Sequence, residues 1–316
     1  MESFIAVVVP CFKVSRTIND VVNGIPEYVN FIILVEDQSN DKTLEVLIEI
    51  EKLDNRIVIV QHNTNQGVGG AMISGFQKAL ELGAEVIVKM DGDDQMDPTY
   101  MSDLIEPIIK GSCHFAKGNR FHDFRKLQQM PFIRRIGNLG LGFLIKLASG
   151  YWSVFDPTNG YFAVKAETLR LIELERLDKR YFFESSFLIE LYYTGAQIAD
   201  ISIPARYGDE ESNLSVFRTL VSFPYKLFKA FVRRILLRYF IYDFSIYSVY
   251  LIVGVPLMVF GILFGLINWI RFDYLNEQTP TGTVMISVLS IVISFQLLLS
   301  VIHFDTSSIL PYRGKK

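Results

Sequence analysis

Two long stretches without charge occupy most of the last quarter of this 316-residue chain. Residues 244–270 and 278–302 contain no Asp, Glu, Lys or Arg. As a helix, each stretch is long enough to cross the hydrocarbon core of a bilayer, which is roughly 30 Å thick. The alternative is that both stretches are core helices buried in a soluble domain. The pattern favours a hairpin of two membrane-spanning helices.

Basic residues lie at the outer ends of these stretches and are scarce between them. The connector at 271–282 holds one Arg and no Lys, whereas the C-terminus carries Arg313, Lys315 and Lys316. Positive charge beside membrane spans favours the cytoplasmic side. We therefore expect an integral membrane protein with both termini in the cytoplasm and a cytoplasmic tail over 306–316.

A segment rich in basic and aromatic residues precedes the first charge-free stretch. Between 213 and 243, six Arg and Lys side chains are interleaved with aliphatic and aromatic ones. This pattern is typical of amphipathic helix at a membrane surface, and an ordinary surface helix is the alternative. Tyr239, Tyr242 and Tyr247 suit a membrane interface better than a base-stacking platform. We expect the membrane as a partner and no nucleic acid.

The N-terminal part alternates short apolar runs with amphipathic stretches. We expect strands at 4–10, 31–37, 56–62 and 85–91, and helices at 14–29, 41–53 and 69–82. Val- and Ile-rich runs buried on both faces are typical of parallel sheets, and the alternation predicts a doubly wound α/β fold with a mixed or parallel sheet. Such sheets bind ligands at the carboxyl ends of their strands. The residues that follow each strand are therefore the candidates for a site.

An acidic cluster follows the fourth predicted strand. In KMDGDDQMDP, residues 89–98, four aspartates occupy positions 91, 93, 94 and 97. An EF-hand loop is excluded because Met96 stands where that loop needs Gly, and a solvated acidic turn stays as an alternative. Mg²⁺ is usually held by one or two carboxylates together with substrate phosphate oxygens. Asp91 and Asp93 are spaced for such a site, and Gln95 adds a neutral oxygen.

Six short motifs, in one order, make the sequence similar to family 2 glycosyltransferases of the GT-A fold. The motifs are VVVPCFK, EDQSNDKT, NQGVGGAMISGF, DGDDQMDP, KGNRF and DPTNGYFAV. The chain most resembles the polyisoprenyl-phosphate glycosyltransferases of the dolichol-phosphate-mannose synthase type, which carry an amphipathic region and transmembrane helices after the catalytic domain. The resemblance implies a GT-A domain over 1–212, basic interfacial helices over 213–243 and a transmembrane hairpin over 244–305.

The resemblance implies a donor site for a nucleoside-diphosphate sugar with UDP or GDP as its nucleotide. Pro10 and Asp37 would hold the nucleobase. The residues implied for donor binding as a whole are Pro10, Asp37, Gly67, Asp91 and Arg206. Asp93 and Gln95, with Asp91, would bind Mg²⁺ or Mn²⁺ together with the donor diphosphate.

The same resemblance implies a polyprenyl phosphate acceptor, undecaprenyl or dolichyl. The residues implied for its phosphate are Arg120, Arg134 and Asn138. Fixed cations suit a dianionic phosphate, and Arg can bind it through two hydrogen bonds. An acceptor that is already ionised has little need of a base. Asp156 is nevertheless the first candidate base and Glu184 the second, while Asp93 would contribute to catalysis through the metal.

A few positions depart from the family pattern. Lys13 and Val14 replace an Asn-Glu pair, Gln38 replaces Gly in the nucleotide loop, and Ser186 stands where related sequences often have a carboxylate.

We expect a membrane-anchored, inverting, metal-dependent glycosyltransferase that acts on the cytoplasmic face. One alternative is the extension of a lipid-linked glycan in surface polysaccharide assembly. Another is a nucleotide-sugar-binding membrane scaffold without activity. Membrane hairpins of this kind can also pack into a homo-oligomer.

Overall fold

A computed structural model describes residues 3–120, 132–204, 216–308 and 310–314. The chain forms two compact units, one of Met1–Ala230 with Leu310–Lys316 and the other of Phe231–Ile309. The strands are β1 Ile5–Cys11, β2 Phe31–Glu36, β3 Ile57–Gln61, β4 Val86–Lys89, β5 Phe115–Asn119, β6 Phe162–Lys165 and β7 Ile198–Ser202. The helices of the first unit include α1 Ile18–Gly24, α2 Thr43–Glu51, α3 Gly67–Glu81, α4 Met101–Ile109, α5 Phe132–Ser149, α6 Ala166–Leu169 and α7 Phe183–Tyr192. They are followed by α8 Val216–Leu236, a π-helical segment Leu237–Tyr242, α9 Ile246–Tyr274 and α10 Thr281–Ser307.

The seven strands form one sheet in the order β3-β2-β1-β4-β6-β5-β7. Strand β6 runs antiparallel to β4 and β5, and all other neighbouring strands are parallel. The mixed sheet with helices confirms the predicted α/β class. Because β1, β2, β4 and β5 run in one direction, their carboxyl ends lie on the same edge of the sheet.

The four predicted strands are present, with ends shifted by at most two residues, and the prediction of a helix over 14–29 was too long. Val14 instead accepts hydrogen bonds from the main chain of Thr17 and Ile18 in a turn. Ile25 is extended (φ −70°, ψ 123°). It precedes Pro26, and a residue before proline avoids the helical region.

Helix α3 packs directly on the sheet through a glycine. A Cβ atom at Gly75 would collide with the side chain of Val8 and lie 3.2 Å from Val35. The absence of a side chain lets the helix lie close to β1 and β2. This packing brings the first turn of α3, which begins at Gly67, to the carboxyl ends of those strands.

The C-terminal tail packs against the first unit. The Tyr312 ring stacks on His114 with 3.7 Å between ring centroids, and its hydroxyl lies 2.8 Å from the Thr168 hydroxyl. The main chain of Arg313 donates to Thr194. Gly195 has φ +72°, and a Cβ there would collide with the Pro311 carbonyl. Residues 310–313 are therefore held against the rest of the first unit by packing and hydrogen bonds.

The second unit contains two helices that are long and apolar enough to cross a membrane, α9 and α10. Ser287 donates to the Gly261 carbonyl, and a Cβ at Gly265 would collide with the Ser287 hydroxyl. Small residues thus allow the helices to approach closely. Their outer apolar side chains stay exposed (Ile270 is 68% exposed), unlike those of helices buried in a soluble core.

A buried ion pair joins the basic segment to the end of α10 within the second unit. Arg234 binds Asp305 through two hydrogen bonds of 2.7 and 2.9 Å, and the Tyr239 hydroxyl donates to the same carboxylate. Bidentate pairing of this kind fixes orientation as well as distance. The pair therefore sets the register between Phe231–Tyr242 and the last turn of α10.

Candidate active site

A cleft of about 330 Å³ opens at the carboxyl edge of the sheet. We call it the donor cleft. Its walls come from the ends of β1, β2 and β4, the start of α3, and the segment before α7. The wall includes the predicted donor residues Pro10, Asp37, Gly67 and Asp91 and the predicted metal ligand Asp93, together with Arg180 and Tyr181. The structure thus brings residues from four separate motifs to one cavity.

Asp37 holds the start of α3 in place. Its buried carboxylate accepts hydrogen bonds of 2.7 Å from the main-chain N–H groups of Gln66 and Gly67, and lies 2.7 Å from His62 Nδ1. A carboxylate at a helix N-terminus satisfies main-chain donors that lack partners within the helix. Asp37 thereby shapes the wall of the cleft, and its contact with a nucleobase stays a prediction.

Gly67 makes a close main-chain approach possible. It has φ +83°, and a Cβ there would lie 2.6 Å from the carbonyl oxygen of Lys179. Only glycine adopts this backbone conformation without strain and leaves room for that carbonyl. The start of α3 and the segment before α7 therefore meet at the cleft.

The four aspartates of the acidic cluster have different roles. Asp91 and Asp93 line the cleft, and an Asp93 oxygen accepts from the main chain of Gln95 at 3.1 Å. Asp94 is exposed and has φ 58°. Asp97 caps the turn at Pro98–Tyr100 by accepting from Thr99. The cluster is therefore not one acidic turn, because only its first two carboxylates face the cleft.

The residues at the end of β4 fit a metal that shares its ligands with a substrate. In the described part of the chain, no group of three or more His, Cys, Asp or Glu side chains is arranged to hold a metal ion. A hard cation at Asp91 and Asp93 would take its other ligands from donor oxygens, water and Gln95. Mg²⁺ is commonly bound in this way.

The predicted base and a predicted phosphate ligand form an ion pair at the end of β5. Arg120 donates from Nε to Asp156 at 2.8 Å and from its terminal nitrogen at 3.2 Å. The main-chain N–H of Arg120 and the Thr158 hydroxyl bind the same carboxylate at 3.3 and 3.1 Å. Asp156 is fully buried, whereas the Arg120 side chain is 41% exposed. Arg120 is thus held by its buried partner, and part of its side chain is accessible.

The structure gives less information on the other predicted acceptor and donor residues. Arg134 and Asn138 lie on α5, within a stretch where only the main chain is described. Arg206 lies outside the described residues. Glu184 is in the first turn of α7, with its carboxylate 3.4 Å from Lys89 Nζ. Ser186 is buried, accepts from the main chain of Asp178 and donates to Phe183.

Sequence reasoning missed two buried lysines, Lys89 and Lys117. They are 0% and 1% exposed, respectively. The signal was present in the sequence, since each interrupts an otherwise apolar or small-residue strand, in EVIVKM and FAKGN. Burial lowers the pKa of Lys89, but the charges of Asp91 and Glu184 outweigh this effect and raise it. Burial lowers the pKa of Lys117 to about 8, although Asp156 and Glu184 partly oppose the change.

Cys11 also lines the donor cleft but is not a nucleophile. Burial, and then the charge of Glu36, raises the pKa of its thiol far above the ordinary range. The reactive form of cysteine is the thiolate. The thiol therefore stays protonated, and its place in the cleft is a matter of packing.

Comparisons with known proteins agree with this geometry. The sequence model of glycosyl transferase family 2 matches residues 6–172, more than half of the chain. The UDP-N-acetylglucosamine–dolichyl-phosphate N-acetylglucosaminyltransferase of Methanococcus voltae is 31% identical over 219 residues, which cover 65% of this chain and 87% of that protein. The dolichol-phosphate mannosyltransferase of Pyrococcus furiosus is 25% identical over 211 residues, covering 65% of this chain and 56% of that protein.

A solved structure has a similar fold. The mannosyltransferase of Pyrobaculum calidifontis in complex with GDP-Man and Mn²⁺ aligns with a TM-score of 0.50 at 11% identity, covering 98% of this chain and 76% of that one. At this identity the likeness concerns the fold alone. Together with the family match, it confirms the resemblance drawn from the six motifs. The chain belongs to glycosyl transferase family 2 and is a glycosyltransferase of the GT-A fold.

Proposed function

We propose that this enzyme is anchored in a membrane and transfers a sugar, with inversion, from a nucleoside-diphosphate donor to a polyprenyl phosphate. The names of the Methanococcus and Pyrococcus relatives, which act on dolichyl phosphate, support this acceptor class. The first relative is named for UDP-N-acetylglucosamine, and the Pyrobaculum structure contains GDP-Man. Both nucleotides are therefore candidates for the donor.

The observation that carries the proposal is the hydrogen bonding of the Asp156 carboxylate. An ionised carboxylate has about four acceptor sites. All four are matched by hydrogen bonds from Arg120 and Thr158, and the group is fully buried. Asp156 would have to give up one of these bonds to take a proton from a hydroxyl. A hydroxyl acceptor would need a base at this position. The residue beside Asp156 is instead the cationic Arg120, which suits an anionic acceptor.

Glu184 supports the same conclusion from the other side of the site. Its carboxylate lies 3.4 Å from the buried ammonium of Lys89, which also binds Asp91 at 2.5 Å. A carboxylate held by a buried cation is a poor candidate for general base. A phosphate acceptor, already ionised near neutral pH, has no proton that must be removed. The arrangement thus favours a phosphate over a glycan hydroxyl.

Asp91, Asp93 and Gln95 would hold Mg²⁺ or Mn²⁺ with the donor diphosphate. When bound, the metal supplies a Lewis acid that offsets the charge on the departing nucleoside diphosphate. Asp93 orients toward the cleft, and its Asx-type bond to Gln95 fixes the loop. Lys89 restrains Asp91 by donating a hydrogen bond from Nζ to its carboxylate.

The two apolar helices support a membrane anchor with the catalytic unit and both termini in the cytoplasm. The chain leaves the first unit after Ala230 and rejoins it at Leu310, so both ends of the hairpin unit are attached to the same compact body. This connection favours an arrangement in which both ends leave the membrane on one side. The scarcity of basic residues in the connector assigns that side to the cytoplasm.

The test is a transfer assay with purified protein in detergent, undecaprenyl phosphate, Mg²⁺ or Mn²⁺, and a panel of labelled UDP- and GDP-sugars. We expect an organic-extractable, acid-labile product that is lost on chelation and in Asp93→Asn. The exposed Asp20→Asn is the matched control and should act as wild type. Donor binding without product from any sugar would contradict the proposal and favour a glycan acceptor or an inactive scaffold.

A further inference from the structure

Lys89 and Lys117 lie in one row on one face of the sheet. Lys89, the last residue of β4, pairs with Phe162 of β6, and Lys117 of β5 pairs with the same Phe162 from the other side. Residues directly opposite each other on neighbouring strands point to the same face. Helix α7 covers this face, since Phe187 stacks on Phe162 with 5.2 Å between centroids. Two ammonium groups are therefore enclosed between the sheet and α7.

Lys89 contacts two carboxylates, one of which lines the donor cleft. Its Nζ lies 2.5 Å from Asp91 Oδ1 and 3.4 Å from Glu184 Oε1. These carboxylates come from different elements, the loop after β4 and the first turn of α7. One buried cation thus holds the cleft-lining Asp91 and the start of α7 together.

Gly160 also packs against the Lys89–Asp91 ion pair. A Cβ there would lie 2.6 Å from Lys89 Nζ and 2.8 Å from Asp91 Oδ2. No other residue fits without moving the ion pair. The pair is therefore enclosed by packing as well as by charge.

Lys117 contacts the acceptor side. Its Nζ donates to the main-chain carbonyl of Asn159. The Asn159 side chain in turn donates to the Gly118 carbonyl at 2.8 Å, so β5 holds this loop at two points. The same loop carries Asp156, which binds Arg120. Lys117 thus fixes the loop from which Arg120 is oriented.

We propose that Lys89 and Lys117 are positioning residues that serve different substrates. Lys89 orients Asp91 for the nucleotide-sugar donor and links it to Glu184 at the start of α7. Lys117 orients the Asp156–Gly160 loop, and through it Arg120, for the anionic acceptor. This inference rests on the proposed function for its acceptor half only.

Replacing each lysine by methionine, which has a similar shape and no charge, tests the two roles separately. Lys89→Met should raise KM for the nucleotide sugar by about 10–100-fold, the usual effect of losing a residue that orients a ligand-binding group, with little change in acceptor KM. Lys117→Met should raise KM for polyprenyl phosphate to a similar degree with little change in donor KM. The double variant Lys89→Met/Glu184→Gln should lose less than the product of the two single effects. Two purely structural lysines would instead lower kcat in proportion to the folded fraction and leave both KM values unchanged, which would overturn the proposal.

Gly160→Ala tests the Lys89 half without removing a charge. The added methyl group should displace the Lys89–Asp91 pair and weaken donor binding in the same direction as Lys89→Met. Gly282→Ala is the control, because a Cβ there meets nothing within 4 Å. Unchanged donor affinity in folded Gly160→Ala would contradict the role of Lys89.

Equilibrium binding distinguishes failure of this inference from failure of the proposed function. Donor and polyprenyl phosphate Kd values are measured without turnover on wild type and on each variant. Wild type that binds donor but no polyprenyl phosphate would overturn the proposed acceptor and the Lys117 half together. The Lys89 half would still be decided by donor binding. Wild type that binds both, with Kd values unaltered in the variants, would overturn this inference alone.

Discussion

The donor half and the acceptor half of the site are built by different means. The donor half comprises the loops after β1, β2 and β4. Each of these loops contains a non-glycine residue with positive φ: Lys13 (58°), Gln38 (52°) and Asp94 (58°). The acceptor half comprises the end of β5 and the loop Asp156–Gly160. In its described residues no side-chain-bearing residue has positive φ, and buried charges fix the geometry instead.

The difference shows where each half carries its energetic cost. A left-handed conformation costs a non-glycine residue about 1–2 kcal/mol, and the cost is local to the loop. A buried charge is costly unless its partner is in place, and here the partners are far apart in sequence, as Arg120 and Asp156 are. Backbone substitutions in the loops should therefore affect the donor half alone. Charge substitutions should affect the acceptor half most, and in the donor half they should act through the buried Lys89–Asp91 pair.

The largest effect is expected at the ion pair of the acceptor half. Arg120→Gln removes the group proposed for the phosphate and leaves the buried Asp156 charge without its main partner. We expect transfer to fall more than about 100-fold and the free energy of unfolding to fall by about 4 kcal/mol, with donor affinity unchanged. Thermal unfolding in detergent and acceptor binding check this.

Arg176→Gln is the matched control for that variant. Arg176 pairs with Glu173 on the surface, with both side chains about half-exposed or more. An exposed pair contributes less than about 1 kcal/mol. Equal losses in the two variants would break the distinction between the halves.

This contrast also explains what the sequence could predict. The donor loops follow strands whose apolar runs are visible in sequence, so Pro10, Asp37, Gly67 and Asp91 could be named from the sequence, and all four line the cleft. Their motifs are local. The family pattern has Asn at the position of Lys13 and Gly at the position of Gln38. The positive φ at both positions explains this preference, because Asn and Gly tolerate it.

The acceptor half was harder to predict because its contacts are long-range. The motifs gave Arg120 and Asp156 as separate residues with separate roles, and only the fold reveals that they are partners 36 positions apart. Lys117 reaches Asn159 across 42 positions. Contacts of this kind depend on the register between β5 and β6. No local sequence pattern predicts that register. The lysines within apolar strands were the one available signal.

Lys117 should make the acceptor half sensitive to alkaline pH. Its pKa is lowered by burial to about 8 in the folded state, against 10.5 for an exposed lysine. Between these values the unfolded chain binds more protons, so stability rises with pH in this window. Below pH 8 the cost of the buried charge is fully present, and above 10.5 it is gone. Relative to Lys117→Met, wild type should gain about 3 kcal/mol across the window.

Function should change in the opposite direction over the same range. As Lys117 loses its charge, acceptor KM should rise above pH 8, while donor KM stays level because the pKa of Lys89 is raised. Lys78→Met, a partly exposed site on α3, should show the pH dependence of wild type. A rise in donor KM with the same midpoint would break the division between the halves.

A smaller effect is expected from a glycine substitution in the donor half. Gly67→Ala adds a methyl group at φ +83° and 2.6 Å from the Lys179 carbonyl, whereas Gly83→Ala adds one at φ +79° with nothing within 4 Å. Gly83→Ala should cost about 1 kcal/mol for the backbone alone. Gly67→Ala should cost about 2 kcal/mol and weaken donor binding as well. Equal costs, with donor binding intact, would mean that the close approach at Gly67 does not shape the cleft.

The smallest effect is expected at Lys13, and it has the opposite sign. Asn is enriched among non-glycine residues with positive φ, so Lys13→Asn should stabilise the protein by roughly 0.5 kcal/mol. The main-chain N–H at this position would still donate to the Ser39 hydroxyl at 3.1 Å. Lys13→Ala removes the same side chain without the tolerance for positive φ and should give no gain. If melting temperatures rise equally in both variants, the benefit comes from losing the lysine, and backbone strain is not what distinguishes the donor half.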